Sequence, residues 1–378
     1  MKILYIGHAT SETTSRHRAD ALERLGHEVI VADPYAALAV YLNGRLRGAL
    51  HYRSGYRLLQ RVVCNWVNGL LRQNGKWPEV VWLDSGELFG FQAATALRQF
   101  GCPTVLYNID DPGGRRDGRR WDSWLSALPA YDLCAVVRTE NIAEFQAIGA
   151  RRVYRVWRSY DEVAHLPFVD IESIPTAFRS DVAFVGTWMR GEGRDEFLLS
   201  LIECGLDIAI WGSRWQKSPA WPKLRAHWRG PALAGRHYVA ALQGAKIALG
   251  FLSRGNRDLH TTRSAEIPYA GGLLCAERTV EHILGPRLSG QRINRPPSQT
   301  QFLRQYQQVA SLSCGEQMIV QLAHALPLPR MQGIVALARQ QRRACERCDA
   351  RRDVAHRRRR RRRVGEAEGI GDDEANRV

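Results

Sequence analysis

The sequence contains no uninterrupted apolar run of about 18 residues, the length that a membrane-spanning helix needs. The first residues, MKILYIGHATS, lack the cleavage pattern of a signal peptide and predict a β-strand instead. The chain has 378 residues, 45% of them hydrophobic, with eleven Trp. Because this is enough apolar material for two cores, we predict two domains. We expect a cytoplasmic protein without a transmembrane segment, which leaves peripheral contact with a membrane open.

Metal-binding and redox motifs are also scarce. Cys345 and Cys348 form a CxxC pair, but no second pair and no His set stands near it at zinc spacing. We therefore predict no metal site. Scattered cysteines, mostly inside predicted strands and helices, are typical of reduced, buried thiols in a cytosolic protein. They are Cys64, Cys102, Cys134, Cys204, Cys275, Cys314, Cys345 and Cys348.

The net charge of +16 is concentrated near the carboxyl end. Residues 285–378 hold 19 Arg, no Lys and nine acidic residues, which accounts for +10 of it. After two candidate helices at 315–325 and 331–345, this segment has seven consecutive Arg at 357–363 and an acidic end. We interpret it as an atypical, disordered Arg-rich tail. A nucleic-acid partner is not expected for the globular part, because the first 284 residues carry only +6.

Residues 1–165 alternate apolar strand-like runs with helical patterns, which is typical of a doubly wound α/β domain. Near-continuous runs of Val, Ile and Leu indicate parallel strands that are buried on both faces. The predicted strands are 2–7, 28–33, 79–84, 104–110, 133–137 and 153–157. The predicted helices are 16–25, a long amphipathic stretch over about 36–74, 89–100, 119–128 and 141–148.

A loop with Pro167 and Pro175 leads to a second series within residues 166–284. Its predicted strands are 181–186, 206–212, 226–230, 246–252 and 272–277, and its predicted helices are 193–204, 236–244 and 262–270. Two Rossmann-like domains joined in this way enclose a cleft between the carboxyl ends of their strands. Ligands of such sheets bind there, so the loops after the strands are the candidate site.

The loop after the first strand presents several polar groups to this cleft. His8, Thr13 and Thr14 supply side-chain donors in a short loop that enters a helix. Capping of that helix by Ser15 explains the same residues equally well. The loop lacks the GxGxxG pattern, which disfavours a dinucleotide cofactor.

Two other strand-end loops carry charge. In NIDDPGG, Asp110 and Asp111 have two possible roles. They orient a hydroxyl or act as a base, or they cap the following turn. They do not form Asp-x-Asp, which disfavours a metal-held diphosphate. In FVGTWMRGEGRDEF, Gly186 permits close approach of a ligand, and Arg190 or Arg194 is placed to neutralise a diphosphate. Trp215, after the next strand, fits the core better than contact with a base.

The most informative stretch is 257–277, where Asp258 and Glu266 flank the triplet TTR. If residues 261–269 form a short helix, Thr262 and Glu266 lie one turn apart on one face. Amides at the start of this helix would favour a phosphate, with Arg257 and Arg263 as guanidinium donors. Glu266 could then accept hydrogen bonds from sugar hydroxyls. The spacing indicates a nucleotide-sugar site or, equally, a surface helix with solvated charges.

Several segments, in this order, resemble the CgeB-like (spore-maturation-protein-like) glycosyltransferases. They are LYIG, ALERLGHEV, YNIDDP, FVGTW, IWGSRW and NRDLHTTRSAEIPYAGGLLCAERTVEH. The resemblance covers roughly residues 1–283 and is most specific at 256–282. It implies a GT-B fold with an acceptor-side domain at 1–165 and a donor domain at 166–284. It also implies sugar transfer from a nucleoside-diphosphate sugar to a glycan, polysaccharide or protein, with retention of configuration and without a metal or other cofactor.

The resemblance also implies site residues. In the wider class of retaining enzymes, two acidic residues separated by seven others contact the donor sugar and the nucleotide ribose; here they are Asp258 and Glu266, of which Glu266 corresponds to the ribose contact. Asp110 or Asp111 would orient the acceptor. The donor-binding set would be Gly186, Arg190, Arg194, Arg257, His260, Thr261, Thr262, Arg263, Glu266 and Gly271. The acceptor-side set would be His8, Thr13, Thr14 and Arg16.

Beyond about residue 284 the sequence departs from the family pattern. We interpret residues 285–378 as either a lineage-specific replacement or the product of a reading-frame shift. A frame shift would leave the donor domain without its last strand and closing helices. Three alternatives to a transferase stay open: a non-catalytic nucleotide-sugar-binding protein, a scaffold whose Arg tail docks on nucleic acid, and a nucleotide-sugar epimerase of the same shape.

Overall fold

The computed structural model describes residues 1–74, 77–114 and 116–284. Within them the chain forms two parallel β-sheets with helices between successive strands, so the predicted α/β class with two Rossmann-like domains is confirmed. The predictions for 285–378, including both helices and the Arg run, lie outside the described residues.

The first sheet has six strands in the order β2-β1-β3-β4-β5-β6, all parallel. Strand order reverses beside β1, as in doubly wound folds, where the diverging connections open a crevice at the carboxyl ends. The strands are β1 Lys2–Ile6, β2 Glu28–Ala32, β3 Val80–Asp84, β4 Thr104–Asn108, β5 Leu133–Val136 and β6 Val153–Arg155. Each predicted strand of this half is present, and several end one or two residues earlier than predicted.

The second sheet has five parallel strands in the order β11-β10-β7-β8-β9. The reversal beside β7 repeats the arrangement of the first sheet. The strands are β7 Ser180–Val185, β8 Ile208–Trp211, β9 Trp228–Gly230, β10 Ala245–Gly250 and β11 Leu274–Ala276. These match the five strands predicted for this half.

The long amphipathic stretch predicted at about 36–74 is helical, but it is divided into four α-helices. Asp33 caps the first by accepting from the amides of Tyr35 and Ala36, and Gly44 and Gly55 interrupt the rest with φ of 110° and 61°. The helices of the first half are α1 Thr14–Arg24, α2 Pro34–Ala37, α3 Ala39–Leu42, α4 Arg45–Arg53, α5 Gln60–Asn74, α6 Phe91–Leu97, α7 Asp122–Ala127 and α8 Glu140–Ala147.

The predicted helices of the second half are present, together with two short ones that were not predicted, α10 and α13. The helices are α9 Arg194–Glu203, α10 Trp221–Leu224, α11 Gly235–Gln243, α12 Arg263–Tyr269 and α13 Val280–Leu284. Pro268 lies in the last turn of α12, which ends one residue later, and Gly271 follows with a left-handed φ of 82°.

Alternate residues of β7 pack on opposite faces of the second sheet. Ala183 and Val185 contact the cluster that contains α11 and α12, whereas Val182 and Phe184 contact the cluster that contains α9 and α10. Both faces of the second sheet are therefore covered by helices, as is typical of parallel sheets. Trp215 is fully buried beside Phe184, which confirms the core interpretation of this residue.

The cysteine prediction is only partly right. The described cysteines are all free thiols, but Cys134 is buried while Cys204 and Cys275 are exposed. Cys204 follows the last residue of α9, and Cys275 lies on the edge strand β11. The described residues include no helix that is long and apolar enough to cross a membrane.

Candidate functional site

Arg257 connects the two sheets at their carboxyl ends. It follows β10 and reaches into the loop after β4, where its Nε and Nη2 donate to both carboxylate oxygens of Asp111, at 2.7 and 2.6 Å. Its Nη1 donates to Glu144 of α8 at 2.6 Å. Asn141 also donates to Asp111. Arg257 and Asp111 are thus engaged with each other, and neither has the free charge that the sequence analysis assigned to them.

Asp258 is almost fully buried between two arginines of the first domain. Arg138, which follows β5, and Arg158, which follows β6, both donate to its Oδ1, the latter at 3.1 Å. The side chains of Arg138 and Asp258 are 4% and 5% exposed. Burial lowers the pKa of Arg158, and attraction to Asp258 opposes that shift. Asp258 therefore joins the domains through buried ion pairs.

Glu266, in α12, is also buried and is held by two neighbours. Tyr238 Oη of α11 donates to Oε2 at 2.6 Å, and His165 Nε2, in the segment after β6, lies 3.5 Å from Oε1. The backbone N–H of Asp161 donates to His165 Nδ1, so the neutral ring carries its proton on Nε2, facing Glu266. Burial raises the pKa of Tyr238, and the charge of Glu266 raises it further. The carboxylate is fixed in one orientation.

The residues between Asp258 and Glu266 are largely occupied by internal contacts. His260 is buried; its Nε2 accepts from the backbone of Arg158, and its Nδ1 contacts Glu281. Burial lowers the pKa of His260, and the hydrogen bond with Glu281 opposes this. Thr261 is buried with its hydroxyl unpartnered among the described residues, and Thr262 accepts the first hydrogen bond of α12 through its carbonyl, from Glu266.

A cavity of about 510 Å³ lies at the carboxyl ends of β7, β8 and β10. This volume is within the usual range for small-molecule sites. Its walls come from the loop after β7, the loop after β8, the loop after β10 and one arginine of the first domain. The lining residues are Arg116, Trp188, Met189, Arg190, Gly191, Glu192, Arg214, Lys217, Arg254 and Gly255.

The cavity is strongly basic. It has five cationic side chains and one carboxylate, that of Glu192, which accepts from Ser253 Oγ and from the amide of Arg254. In the described part of the chain, Arg190, Arg214, Lys217 and Arg254 form no ion pair. Such a set of unneutralised cations at strand ends is suited to bind a polyanion.

Arg194 is buried beside the cavity, among charged groups of both signs. Burial lowers the pKa of Arg194; Glu192 opposes this shift, and the guanidinium groups of Arg263 and Arg116 add to it. A second cavity, about 730 Å³, differs because its arginines are occupied. Arg229 binds both carboxylate oxygens of Asp207, and Arg179 donates to two backbone carbonyls. Of these two cavities, the one of 510 Å³ is therefore better suited to bind an anion.

Of the predicted donor-binding residues, Arg190 alone lines this cavity. Arg194 is buried and donates to the carbonyls of Thr187 and Leu252, so it joins the loops after β7 and β10. Arg263 Nε donates to the carbonyl of Val185, the last residue of β7, at 2.7 Å. Gly186 packs against Phe184 and Gly212, and Gly271, with φ of 82°, ends α12. Arg194, Arg263 and Gly186 thus lie beside the loop that follows β7, whereas Gly271 lies before β11, away from the cavity.

The predicted acceptor-side residues lie together at the start of α1. Thr13 is its N-cap and accepts from the amide of Arg16, and Thr14 is the first helical residue. Arg16 pairs with Asp20 at 2.6 Å, one turn along α1. His8 is half-exposed and stacks on Tyr35 with 5.2 Å between ring centroids. The capping interpretation thus holds for this loop, although through Thr13 and not Ser15.

Asp110 differs from its neighbour Asp111. Asn108 forms hydrogen bonds with the backbone N–H and C=O of Asp110, while the Asp110 carboxylate has no hydrogen bond or ion pair to the described residues. Among all the described residues, no group of three His, Cys, Asp or Glu side chains is placed to hold a metal ion.

Sequence reasoning missed most of the cavity. Arg116, Arg214, Lys217 and Arg254 come from separate loops, and each is an ordinary surface cation when its own segment is considered alone. It also missed His165 and Tyr238, which hold Glu266. The sequence signal for these cations was their position, because Arg214 and Arg254 each lie two residues after a predicted strand.

Comparisons with known proteins agree with this architecture. Residues 194–363 match the family described as glycosyl transferase-like. No curated protein is significantly similar to the chain in sequence.

Two solved structures show the same fold. Sucrose-phosphate synthase from Thermosynechococcus elongatus aligns over 93% of this chain and 99% of its own, with a TM-score of 0.52 and 11% identity. OtsA in its apo form aligns over 89% of this chain and 96% of its own, with a TM-score of 0.50 and 15% identity. The chain therefore has a GT-B fold, and its region from residue 194 to 363 is glycosyl transferase-like.

Proposed function

We propose that the chain is a glycosyltransferase that moves a sugar from a nucleoside-diphosphate sugar to a glycan, polysaccharide or protein acceptor, with retention of configuration and without a metal. The basic 510 Å³ cavity carries this proposal. The cavity lies at the carboxyl ends of the second sheet, next to β7, where the strand order reverses. Ligands of such folds bind at this position. The reaction leaves a nucleoside diphosphate, and preorganised cations stabilise the negative charge that develops on it.

Glu266 supports the same assignment from the neighbouring α12. It does not line the cavity, but Arg263 of the same helix contacts the end of β7, where the cavity loop begins. We assign Arg190, Arg214, Lys217 and Arg254 to the phosphates and Glu266 to a ribose hydroxyl of the same donor. A carboxylate already oriented by Tyr238 and His165 needs little reorganisation to accept that hydrogen bond.

The remaining acidic residues divide into two roles. We assign Asp258 and Asp111 to holding the domains together, because arginines of the opposite domain engage both carboxylates. Asp110, whose carboxylate is not engaged in this way, is the better candidate to orient an acceptor hydroxyl or take its proton. Closure of the cleft around both substrates would exclude water during transfer.

Binding is tested by thermal unfolding of the full chain with a panel of UDP-, GDP- and TDP-sugars. A donor at 100 times its dissociation constant stabilises the folded state by about 2.7 kcal/mol. Stabilisation by one nucleotide class supports the assignment, and no shift with any donor contradicts it. Stabilisation without product would favour the non-catalytic nucleotide-sugar-binding alternative.

Catalysis is tested with Glu266→Ala, which should abolish turnover while the protein stays folded. Glu277→Ala is the matched control, because Glu277 is exposed near the end of the same region. The anomeric configuration of the product, read by NMR, tests retention. Turnover of Glu266→Ala at the wild-type rate would exclude the role given to this residue.

A further inference from the structure

The segment of the chain that connects β2 to β3 has an exposed surface with many apolar side chains. It is distant in sequence from the cavity residues of the second domain. Val40, Leu46 and Leu58 are 67%, 87% and 62% exposed, and Tyr41, Leu50 and Tyr52 are exposed as well. They belong to α3, α4 and the 3-10 turn Arg57–Leu59. Isolated exposed apolar residues are ordinary, but six within residues 40–58 form a patch that calls for a partner.

The geometry of α4 shows that this exposure is organised. Leu46 and Leu50 are one helical turn apart and therefore share a face. His51 is buried on the side of α4 that packs toward the domain. The apolar side chains of α4 are thus directed away from the protein core, the reverse of the usual arrangement in a globular protein.

The charged side chains that residues 40–61 contribute to this surface are all cationic. Arg45, Arg47, Arg53, Arg57 and Arg61 are all exposed. In the part of the chain that the structure describes, none of these five forms an ion pair. The sequence from residue 34 to residue 78 contains no Asp and no Glu. On α4, Leu46 and Leu50 point outward, Arg45 and Arg47 flank them, and Arg53 follows on the same face, so the exposed surface combines apolar and cationic side chains.

We propose that this surface, residues 40–61, docks the protein on an anionic phospholipid bilayer. Leu46, Leu50 and Leu58 would enter the boundary between headgroups and acyl chains, while the arginines contact lipid phosphates and keep their charge in the headgroup region. Nucleic acid would use the arginines but would leave these leucines in water. An anionic bilayer satisfies both features, and the inference does not depend on the proposed enzymatic activity.

The full chain is tested by co-sedimentation with vesicles of pure phosphatidylcholine and of equimolar phosphatidylcholine and phosphatidylglycerol. We expect binding to the anionic vesicles and little to the neutral ones. The variant Leu46→Gln with Leu50→Gln should lower the partition coefficient roughly tenfold or more. Leu166→Gln with Val169→Gln is the matched control, because both residues are exposed apolar side chains outside this surface.

A second variant distinguishes membrane binding through this surface from binding through the Arg run at 357–363. The Arg run is unchanged in every variant, so a loss of binding is due to the surface. Arg45→Gln with Arg47→Gln should weaken binding to anionic vesicles and make it less sensitive to salt. All variants change exposed side chains, and unchanged melting temperatures would show that they are folded. Wild-type affinity in the leucine variant, an equal loss in the control, or no vesicle binding by the wild-type chain would each overturn the proposal.

Discussion

Arg257 and Asp111 form a two-point ion pair across the cleft, with Nε to Oδ2 at 2.7 Å and Nη2 to Oδ1 at 2.6 Å. Arg257 adopts a left-handed φ of 50°, which is uncommon for a residue other than glycine. Burial raises the pKa of Asp111, but hydrogen bonds from Arg257 and Asn141 outweigh it, and the resulting pKa is lowered. The pair therefore contributes stability above about pH 4 and loses it as the pH falls through the lowered pKa.

Asp111→Ala should destabilise the protein by about 2–3 kcal/mol at neutral pH, because it leaves Arg257 with only Glu144 as an acidic partner. Arg257 is partly exposed, which keeps the loss below that of a fully buried pair. Urea unfolding measures the loss of stability in Asp111→Ala. Asp122→Ala removes an exposed carboxylate that pairs with Arg119 and should cost much less. Equal losses in the two variants would contradict the bridging role.

Asp258 and Glu266 show which features of the site could be predicted from the sequence and which could not. Their spacing, the parallel strands and the position of α12 were all predictable, because apolar runs and loop residues are local signals. The partners of Asp258 were not. Arg138 and Arg158 lie 120 and 100 residues away, and only the docking of one sheet beside the other brings them to the carboxylate.

The cavity shows the same limit. Arg190 could be selected because it follows a predicted strand, but Arg214, Lys217 and Arg254 become a site only when β8, β7 and β10 lie side by side. Strand order is a property of long-range packing, so no single segment encodes it. The broken helices between residues 34 and 74 depended on two glycines with positive φ, which an amphipathic pattern alone did not reveal.

Arg190→Ala combined with Lys217→Ala should weaken donor binding about 10- to 100-fold, because two of the unneutralised cations of the cavity are lost. Calorimetric titration with the best donor from the panel gives the affinity. Lys223→Ala is the control, since Lys223 is an exposed cation outside the cavity that pairs with Glu203. If the double variant binds the donor as tightly as the Lys223 variant does, the phosphates lie elsewhere.

Tyr238→Phe should raise the KM for the donor about tenfold while the fold is retained, because the hydroxyl that orients Glu266 is removed and the ring stays. His165→Gln keeps a donor near Glu266 and should have a smaller effect. Steady-state kinetics with varied donor and fixed acceptor separate KM from kcat. An effect of Tyr238→Phe on the melting temperature alone, with unchanged KM, would assign the contact to stability.

His17 should make the protein less stable in mild acid. Burial lowers its pKa, and repulsion from His165 adds to this, while Asp161, Glu266 and Asp20 oppose the shift. As the pH falls below about 6.5, the unfolded chain binds the proton before the folded chain does, so stability decreases. His17→Gln should flatten that decrease in melting curves recorded from neutral pH downward. The same substitution at exposed His237 controls for the loss of a histidine side chain as such.

Gly212→Ala should be among the most damaging single changes near the cavity. Gly212 follows β8 with φ of 136°, and an added Cβ would lie 2.0 Å from the carbonyl oxygen of Gly186. The clash is with backbone at the end of β7, which cannot move without separating the two strands whose following loops line the cavity. We expect a loss of about 3 kcal/mol or more, measured by urea unfolding.

Gly205→Ala provides the comparison that isolates this clash. Gly205 also has a positive φ, 81°, but an added Cβ there would have no atom within 4 Å. It should cost only the left-handed strain of about 1–2 kcal/mol. Because both variants carry an unfavourable φ, the difference between them measures the approach of Gly212 to Gly186. Similar unfolding midpoints for the two variants would mean that the ends of β7 and β8 are farther apart in solution than in this structure.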